Sequence, residues 1–129
     1  MFKLKDYPQG QDAAEVMIPT EQELRRAFGA LRVSKPRFVD LIAPSGDCLT
    51  IGIGRPLACV MYTRASGRPP YLIALGDMDG QEGFVEFDVE GTPTQFPTYQ
   101  CISYDEMVNV AVYFFYNESL SQNVRWDEV

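Results

Sequence analysis

The chain of 129 residues contains no histidine. Histidine is the usual base beside a serine or cysteine nucleophile and a common zinc ligand, so its absence removes those routes to catalysis. The three cysteines, Cys48, Cys59 and Cys101, form no C-x-x-C pair, and their odd number indicates reduced thiols. No apolar run approaches the ~20 residues of a membrane-spanning helix, and the first residues lack the pattern of a signal peptide. We therefore expect a cytoplasmic protein with no membrane partner.

Positive charge is missing from a long part of the chain. Residues 69–124 contain nine acids and no Lys or Arg, whereas residues 1–68 carry a net charge of +3 within a total of −7. Such a surface attracts cations and basic proteins and repels nucleic acid, so we expect no nucleic-acid partner. The alternative is that solubility alone favours the acids.

The first third predicts one helix after an irregular segment. Residues 1–19 contain Pro8, Gly10 and Pro19, which indicate an irregular N-terminal segment. Thr20 and Glu23 have the spacing of a capping box, and apolar residues then recur at helical spacing to Leu31. We expect a short amphipathic helix that ends near Leu31.

The middle of the chain predicts strands. Apolar or alternating segments separated by short polar turns lie at residues 38–43, 48–54, 57–63, 71–75 and 84–89. Their spacing is typical of an antiparallel meander, and residues 124–126 add one short closing strand.

A second helix has the strongest local pattern. Ser103 and Glu106 form another capping box, and a stripe of apolar residues follows at Met107, Val110, Ala111 and Phe114. The sequence therefore predicts one α+β domain over residues 1–129, with a meander of five or six strands and two helices packed on one face.

The sequence offers little for a metal or a cofactor. The acid-rich residues 77–82 lack the 12-residue register and flanking helices of an EF-hand. Gly52 and Gly54 precede a turn and a strand instead of a helix, which excludes a dinucleotide-binding loop. Carboxylates alone could still act as acid and base. We expect no cofactor and no metal.

The last third resembles a known family. The order of motifs is Phe96-Pro97, Ile102-Ser103, Glu106-Met107-Val108, Ala111, Phe114-Phe115 and Val124-Arg125-Trp126. Over residues 38–129 this order is similar to the first numbered immunity-protein family of bacterial polymorphic toxin systems. The family often has a basic residue and a proline before its last strand, where this chain has Ser121-Gln122-Asn123.

The resemblance implies a non-enzymatic antidote that binds a cognate toxin domain, often a deaminase-type toxin that acts on nucleic acid. It implies no contact residues, because the family's signature positions have the pattern of fold determinants. An acidic protein without histidine suits this role, since it can fill a basic substrate groove without doing chemistry there. Two alternatives remain: a small enzyme that uses carboxylates alone, or an acidic adaptor without a toxin partner. We expect the free protein to be a monomer.

The predicted contact surface follows from the densest acidic segment. Strand alternation places Glu86 and Asp88 on one exposed face, opposite Val85, Phe87 and Val89. The full set of predicted partner-binding residues is Asp77, Asp79, Glu82, Glu86, Asp88, Tyr62, Tyr71, Tyr113 and Tyr116. The tyrosines are included because tyrosine is enriched among residues that dominate binding energy.

Overall fold

The computed structural model describes residues 1–7, 12–76 and 83–129. The described strands are β1 (Phe2–Asp6), β2 (Ala14–Ile18), β3 (Arg37–Ile42), β4 (Cys48–Ile53), β5 (Leu57–Thr63), β6 (Leu72–Leu75), β7 (Phe84–Val89), β8 (Thr92–Pro97), β9 (Ile102–Ser103) and β10 (Arg125–Glu128). The described helices are α1 (Glu21–Arg32) and α2 (Tyr104–Asn117), with one 3-10 turn at Thr98–Gln100. The α+β class is confirmed.

The strands form one large, mainly antiparallel sheet in the order β10-β6-β5-β4-β3-β1-β2. Strands β3 to β6 form a meander, in which each strand pairs with the next along the chain. The predicted meander also included residues 84–89, but β7 pairs with β8 and β3 and not with β6 among the described residues. The β7–β8 hairpin joins β3 through one parallel pair, Arg37 with Asp88. The short strand β9 pairs with the beginning of β5.

Two predictions about the strands were wrong. The number of described strands exceeds five or six, and within the predicted irregular segment residues 2–6 and 14–18 are strands, with β1 paired to both β2 and β3. Phe2 and Leu4 are buried and alternate with two lysines, which is the pattern of a half-buried strand. The strand β8 contains two prolines, and it tolerates them because β7 is its only partner in the described part of the chain.

Of the two predicted capping boxes, the one at α2 is complete, and at α1 the Thr20 half is present. The Thr20 hydroxyl accepts a hydrogen bond from the Glu23 N–H at 3.2 Å. At α2 both halves of the capping box are present, with Ser103 and Glu106 exchanging two hydrogen bonds of 3.1 Å. In the described ranges neither helix is long and apolar enough to cross a membrane.

Both helices pack on one face of the sheet. Leu24 and Phe28 of α1 join Met107 and Phe114 of α2 in the larger buried cluster, together with Ile51 of the sheet. Trp126 of β10 is half-buried against this cluster and donates from its indole Nε1 to the Ser121 carbonyl at 2.9 Å. The prediction of two helices on one face is confirmed.

The β7–β8 hairpin lies across the opposite face. A second cluster there contains Phe38, Cys59 and Phe87, with Phe96 packed against them. Gly52 permits this packing, since a Cβ atom at that position would lie 2.9 Å from the Phe38 ring and 3.2 Å from Phe87. The hairpin therefore has a buried inner side and a free outer side.

Candidate functional site

The predicted acidic surface lies on the outer side of the hairpin. Glu86 is exposed and Asp88 is half-buried, whereas Phe87 between them is fully buried, as the alternation predicts. Phe84 lies on the same side and keeps 65 % of its surface exposed. We call Phe84, Glu86 and Asp88 the hairpin surface. Asp77, Asp79 and Glu82 lie outside the described residues.

The fold brings two cations to the border of the hairpin surface. Arg55 donates from Nε to the Glu86 carbonyl oxygen at 3.0 Å. Lys35 and Arg55 also line a shallow cleft of about 190 Å³ together with Glu86 and Asp88. No ion pair within the described ranges involves either acid. Two carboxylates and two cations therefore lie close together here, although no base is near the two acids in the sequence.

Two of the predicted tyrosines donate hydrogen bonds to residues in nearby loops. Tyr62 is half-buried against Phe114, with ring centroids 6.3 Å apart, and its hydroxyl donates to Asp47 at 3.3 Å. Burial and the negative charge of Asp47 raise the pKa of Tyr62. Tyr71 is exposed, and its hydroxyl donates to the Gly67 carbonyl at 2.6 Å.

Tyr113 and Tyr116 lie on the other side of the molecule. Both are exposed on α2, and Tyr116 donates to the Glu21 carboxylate of α1 at 2.9 Å. Since α2 covers the sheet face opposite the hairpin, these tyrosines and the hairpin surface lie on opposite sides of the sheet. The predicted residues thus form separate patches.

A pocket beside the hairpin surface was missed at the sequence level. It has a volume of about 420 Å³ and lies between the hairpin and the sheet. Its apolar walls are Phe38, Met61, Val89 and Phe96. Its polar lining is Tyr7, Asp40, Thr50, Asp88, Glu90 and Thr94. We call it the acidic pocket.

Asp40 holds the polar network of the acidic pocket. Its carboxylate accepts hydrogen bonds from the Tyr7 hydroxyl at 2.6 Å and from the Thr50 hydroxyl at 2.8 Å. Burial, the hydrogen bond to Asp40 and the charges of Asp40 and Glu90 raise the pKa of Tyr7. The phenol therefore stays protonated and keeps donating at neutral pH. An acid inside the apolar segment 38–43 was the sequence signal that could have revealed this pocket.

Two of the three thiols have a raised pKa, whereas the hydrogen bond with Cys59 lowers the pKa of Cys101. Burial and the charge of Asp40 raise the pKa of Cys48 to about 12, so its thiol is protonated at neutral pH. The hydrogen bond with Cys101 and burial raise the pKa of Cys59 as well. No cluster of three potential metal ligands occurs in the described part of the chain.

Comparison with known families identifies the class of protein. The model of the family described as Immunity protein Imm1 matches residues 12–128. The chain therefore belongs to the Imm1 immunity protein family, as the resemblance implied. A search of curated proteins gives no match. Membership supports an immunity role and implies a cognate toxin protein as partner.

The motifs that carry the resemblance contribute several core residues. Ile102, Met107, Ala111 and Phe114 are each at most 1 % exposed. Ser121, in the loop where this chain departs from the family pattern, is also buried and accepts the hydrogen bond from Trp126. These motifs determine the fold, so contacts with a partner must come from the exposed residues.

Proposed function

We propose that this protein is an antidote that binds and blocks a toxin domain acting on nucleic acid, such as a deaminase, by covering the toxin's basic substrate groove. The observation that supports this most is the hairpin surface, where an exposed aromatic ring and two carboxylates share one face of a strand. Family membership supports the immunity role, and the hairpin surface offers aromatic and acidic side chains for contact with the toxin.

Charge complementarity connects the two proteins. An enzyme that acts on nucleic acid must present cations to the phosphate backbone. Acidic side chains attract those cations, which raises the rate of encounter and fixes the orientation of docking. Phe84 adds apolar area that is removed from water only in the complex, and this slows dissociation.

The remaining properties belong to the same proposal. The antidote acts in the cytoplasm of the cell that makes the toxin, is a monomer before it meets the toxin, and has no catalytic activity of its own. Its effect is stoichiometric because it occupies the groove without turning over.

The experiment is titration of the toxin domain encoded by the adjacent gene. Inhibition of its nucleic-acid-modifying activity should be complete at about one equivalent of this protein. Activity that persists when the two proteins form a complex would exclude blocking of the active site, and absence of a complex would exclude the antidote role for that pair.

A charge variant tests where the contact lies. Changing Asp77, Asp79 and Asp88 to Asn and Glu86 to Gln should leave the fold intact and weaken binding at least tenfold, about 1.4 kcal/mol. The control changes four acids outside this segment, Glu23, Glu106, Asp127 and Glu128, to the corresponding amides. Equal losses in both variants would show that net charge matters and that the position of the acids does not.

A further inference from the structure

The acidic pocket combines three carboxylates with aromatic walls in one concave space. Asp40 lies on the sheet side, and Asp88 and Glu90 lie on the hairpin side. No ion pair among residues 1–7, 12–76 and 83–129 involves any of the three. We propose that the acidic pocket receives an arginine side chain of the partner protein. This inference rests on the proposed function, because it assigns the partner's anchoring group.

The walls of the pocket suit a planar cation. The Phe96 ring meets Phe38 edge-on at 5.3 Å and Phe87 at 6.2 Å, so its position is fixed by two neighbouring rings. A guanidinium group stacks on aromatic faces and is more weakly hydrated than an ammonium group. A fixed aromatic wall beside carboxylates therefore favours arginine over lysine.

The Asp40 carboxylate on the sheet side is held in place by two hydrogen bonds and can accept further hydrogen bonds. Tyr7 and Thr50 each donate one hydrogen bond to Asp40, one to each oxygen. An ionised carboxylate has about four acceptor sites, so two remain for a guanidinium that donates through several N–H groups. The Asp40 side chain is thus oriented before a cation arrives.

The lysines near the acidic pocket are not part of its lining, although Lys5 contacts Tyr7, which is. Lys5 is the residue of β1 opposite Asp40 in the register, but its ammonium lies over the Tyr7 ring, 5.5 Å from the centroid. Lys35 contributes to the cleft on the outer side of Asp88 and not to the pocket lining. The lining itself has three acidic side chains and no basic one.

The volume of the acidic pocket limits the size of the ligand that it can bind. About 420 Å³ is near the lower end of the range of small-molecule pockets. The phosphates of a nucleotide would meet three carboxylates, so an anionic ligand is disfavoured. One long cationic side chain satisfies both the size and the charge of the pocket.

A titration with a small probe tests the pocket without the toxin. N-acetyl-arginine amide should shift the backbone amide NMR signals of Thr50, Val89 and Thr94 more than those of α2. N-acetyl-citrulline amide has the same shape without the charge and should bind at least roughly tenfold more weakly. Equal binding of the two probes, or shifts spread over the whole acidic surface, would overturn the proposal.

Paired variants of this protein extend the test from the arginine probe to the toxin domain. The double change Asp88→Asn and Glu90→Gln retains an acceptor for the hydrogen bond that Asp88 receives from Gly91. It should weaken the binding of both the arginine probe and the toxin about tenfold. The double change Asp127→Asn and Glu128→Gln removes equal charge at the far sheet edge and should weaken neither. Thr94→Trp fills the pocket and should exclude the probe.

The outcomes separate this inference from the proposed function. Toxin binding that is unchanged in the Asp88 and Glu90 variant would overturn the pocket as the anchoring site and leave the antidote role intact. Loss of toxin binding in Thr94→Trp together with loss of the arginine probe would support it. Absence of toxin binding by the unmodified protein would overturn both.

Discussion

Asp40 lies between Val39 and Leu41, which are completely buried, yet its side chain faces the other side of the sheet. Strand alternation explains this placement, since neighbouring residues point to opposite faces. One residue thus holds the polar network of the acidic pocket while its neighbours belong to the main core. The Tyr7 hydroxyl is its closest partner.

The change Tyr7→Phe should lower the free energy of unfolding by about 1–2 kcal/mol, because it removes a hydrogen bond to a charged acceptor. The raised pKa of Tyr7 sets the pH dependence: the contribution is fully present below the unfolded-state pKa of about 10 and is lost as pH rises through the folded-state value. Urea unfolding at neutral and alkaline pH measures both effects. A difference between the two proteins that grows with pH would contradict this account.

Phe84 is the one phenylalanine among the exposed large hydrophobic residues of the described ranges, and packing within the fold does not account for its exposure. Phe84→Ala should leave the unfolding midpoint nearly unchanged, because the ring is mostly in water. It should weaken toxin binding by about 1–2 kcal/mol, as for an aromatic contact residue. Val33, 86 % exposed at the end of α1, provides the control Val33→Ala, for which calorimetry should show unchanged affinity. Equal effects of the two changes would argue against a special role for Phe84.

At the scale of elements, the sequence predicted those with a strong local pattern. Both helices begin at predicted caps, and β5 spans residues 57–63 as predicted. Strand β8 was missed because its residues are polar or proline and its place depends on β7. The acidic pocket was missed for a related reason: Tyr7, Asp40 and Glu90 are far apart in sequence and meet only through the sheet register.

Strand β1 is fixed to β3 by a bidentate ion pair as well as by backbone pairing. Arg37 donates from Nε and Nη2 to the two oxygens of Asp6, both at 2.8 Å. These hydrogen bonds lower the pKa of Asp6. The pair links the N-terminal strand, which was predicted to be irregular, to the meander.

The change Asp6→Asn should destabilise the fold by about 1 kcal/mol at neutral pH, the upper end for a partly exposed pair. Because the folded-state pKa is lowered, this contribution is present above the unfolded-state value of about 4 and is lost as pH falls. Urea unfolding at several pH values should show the gap from the unmodified protein closing in acid. The exposed pair Lys3–Glu15, at 3.9 Å, gives the control Glu15→Gln, which should cost less than about 0.5 kcal/mol. A larger loss in the control would refute the role given to Asp6.

At the scale of the whole molecule, acidic and basic residues that are far apart in the sequence come together in the fold. Residues 69–124 carry no base, yet Lys35 and Arg55 from the first half border the hairpin surface. The order of charges along the sequence therefore predicts an acidic protein with a basic partner. The balance of positive and negative charge around Glu86 and Asp88, however, depends on the fold.

Association with the toxin domain should slow as salt rises from about 0.1 M to 0.5 M, because the Debye length falls from about 10 Å to a few ångströms. The dissociation rate should change much less, since buried contacts set it. Stopped-flow measurements give both rates. An association rate that is independent of salt would show that charge does not guide the encounter.

The most direct test is amide hydrogen exchange of this protein, free and bound to its cognate toxin domain. Residues 83–97, which include the β7–β8 hairpin, should gain protection in the complex, while the exposed face of α2 around Tyr113 and Tyr116 should not. Protection confined to α2, with the hairpin unchanged, would contradict the account.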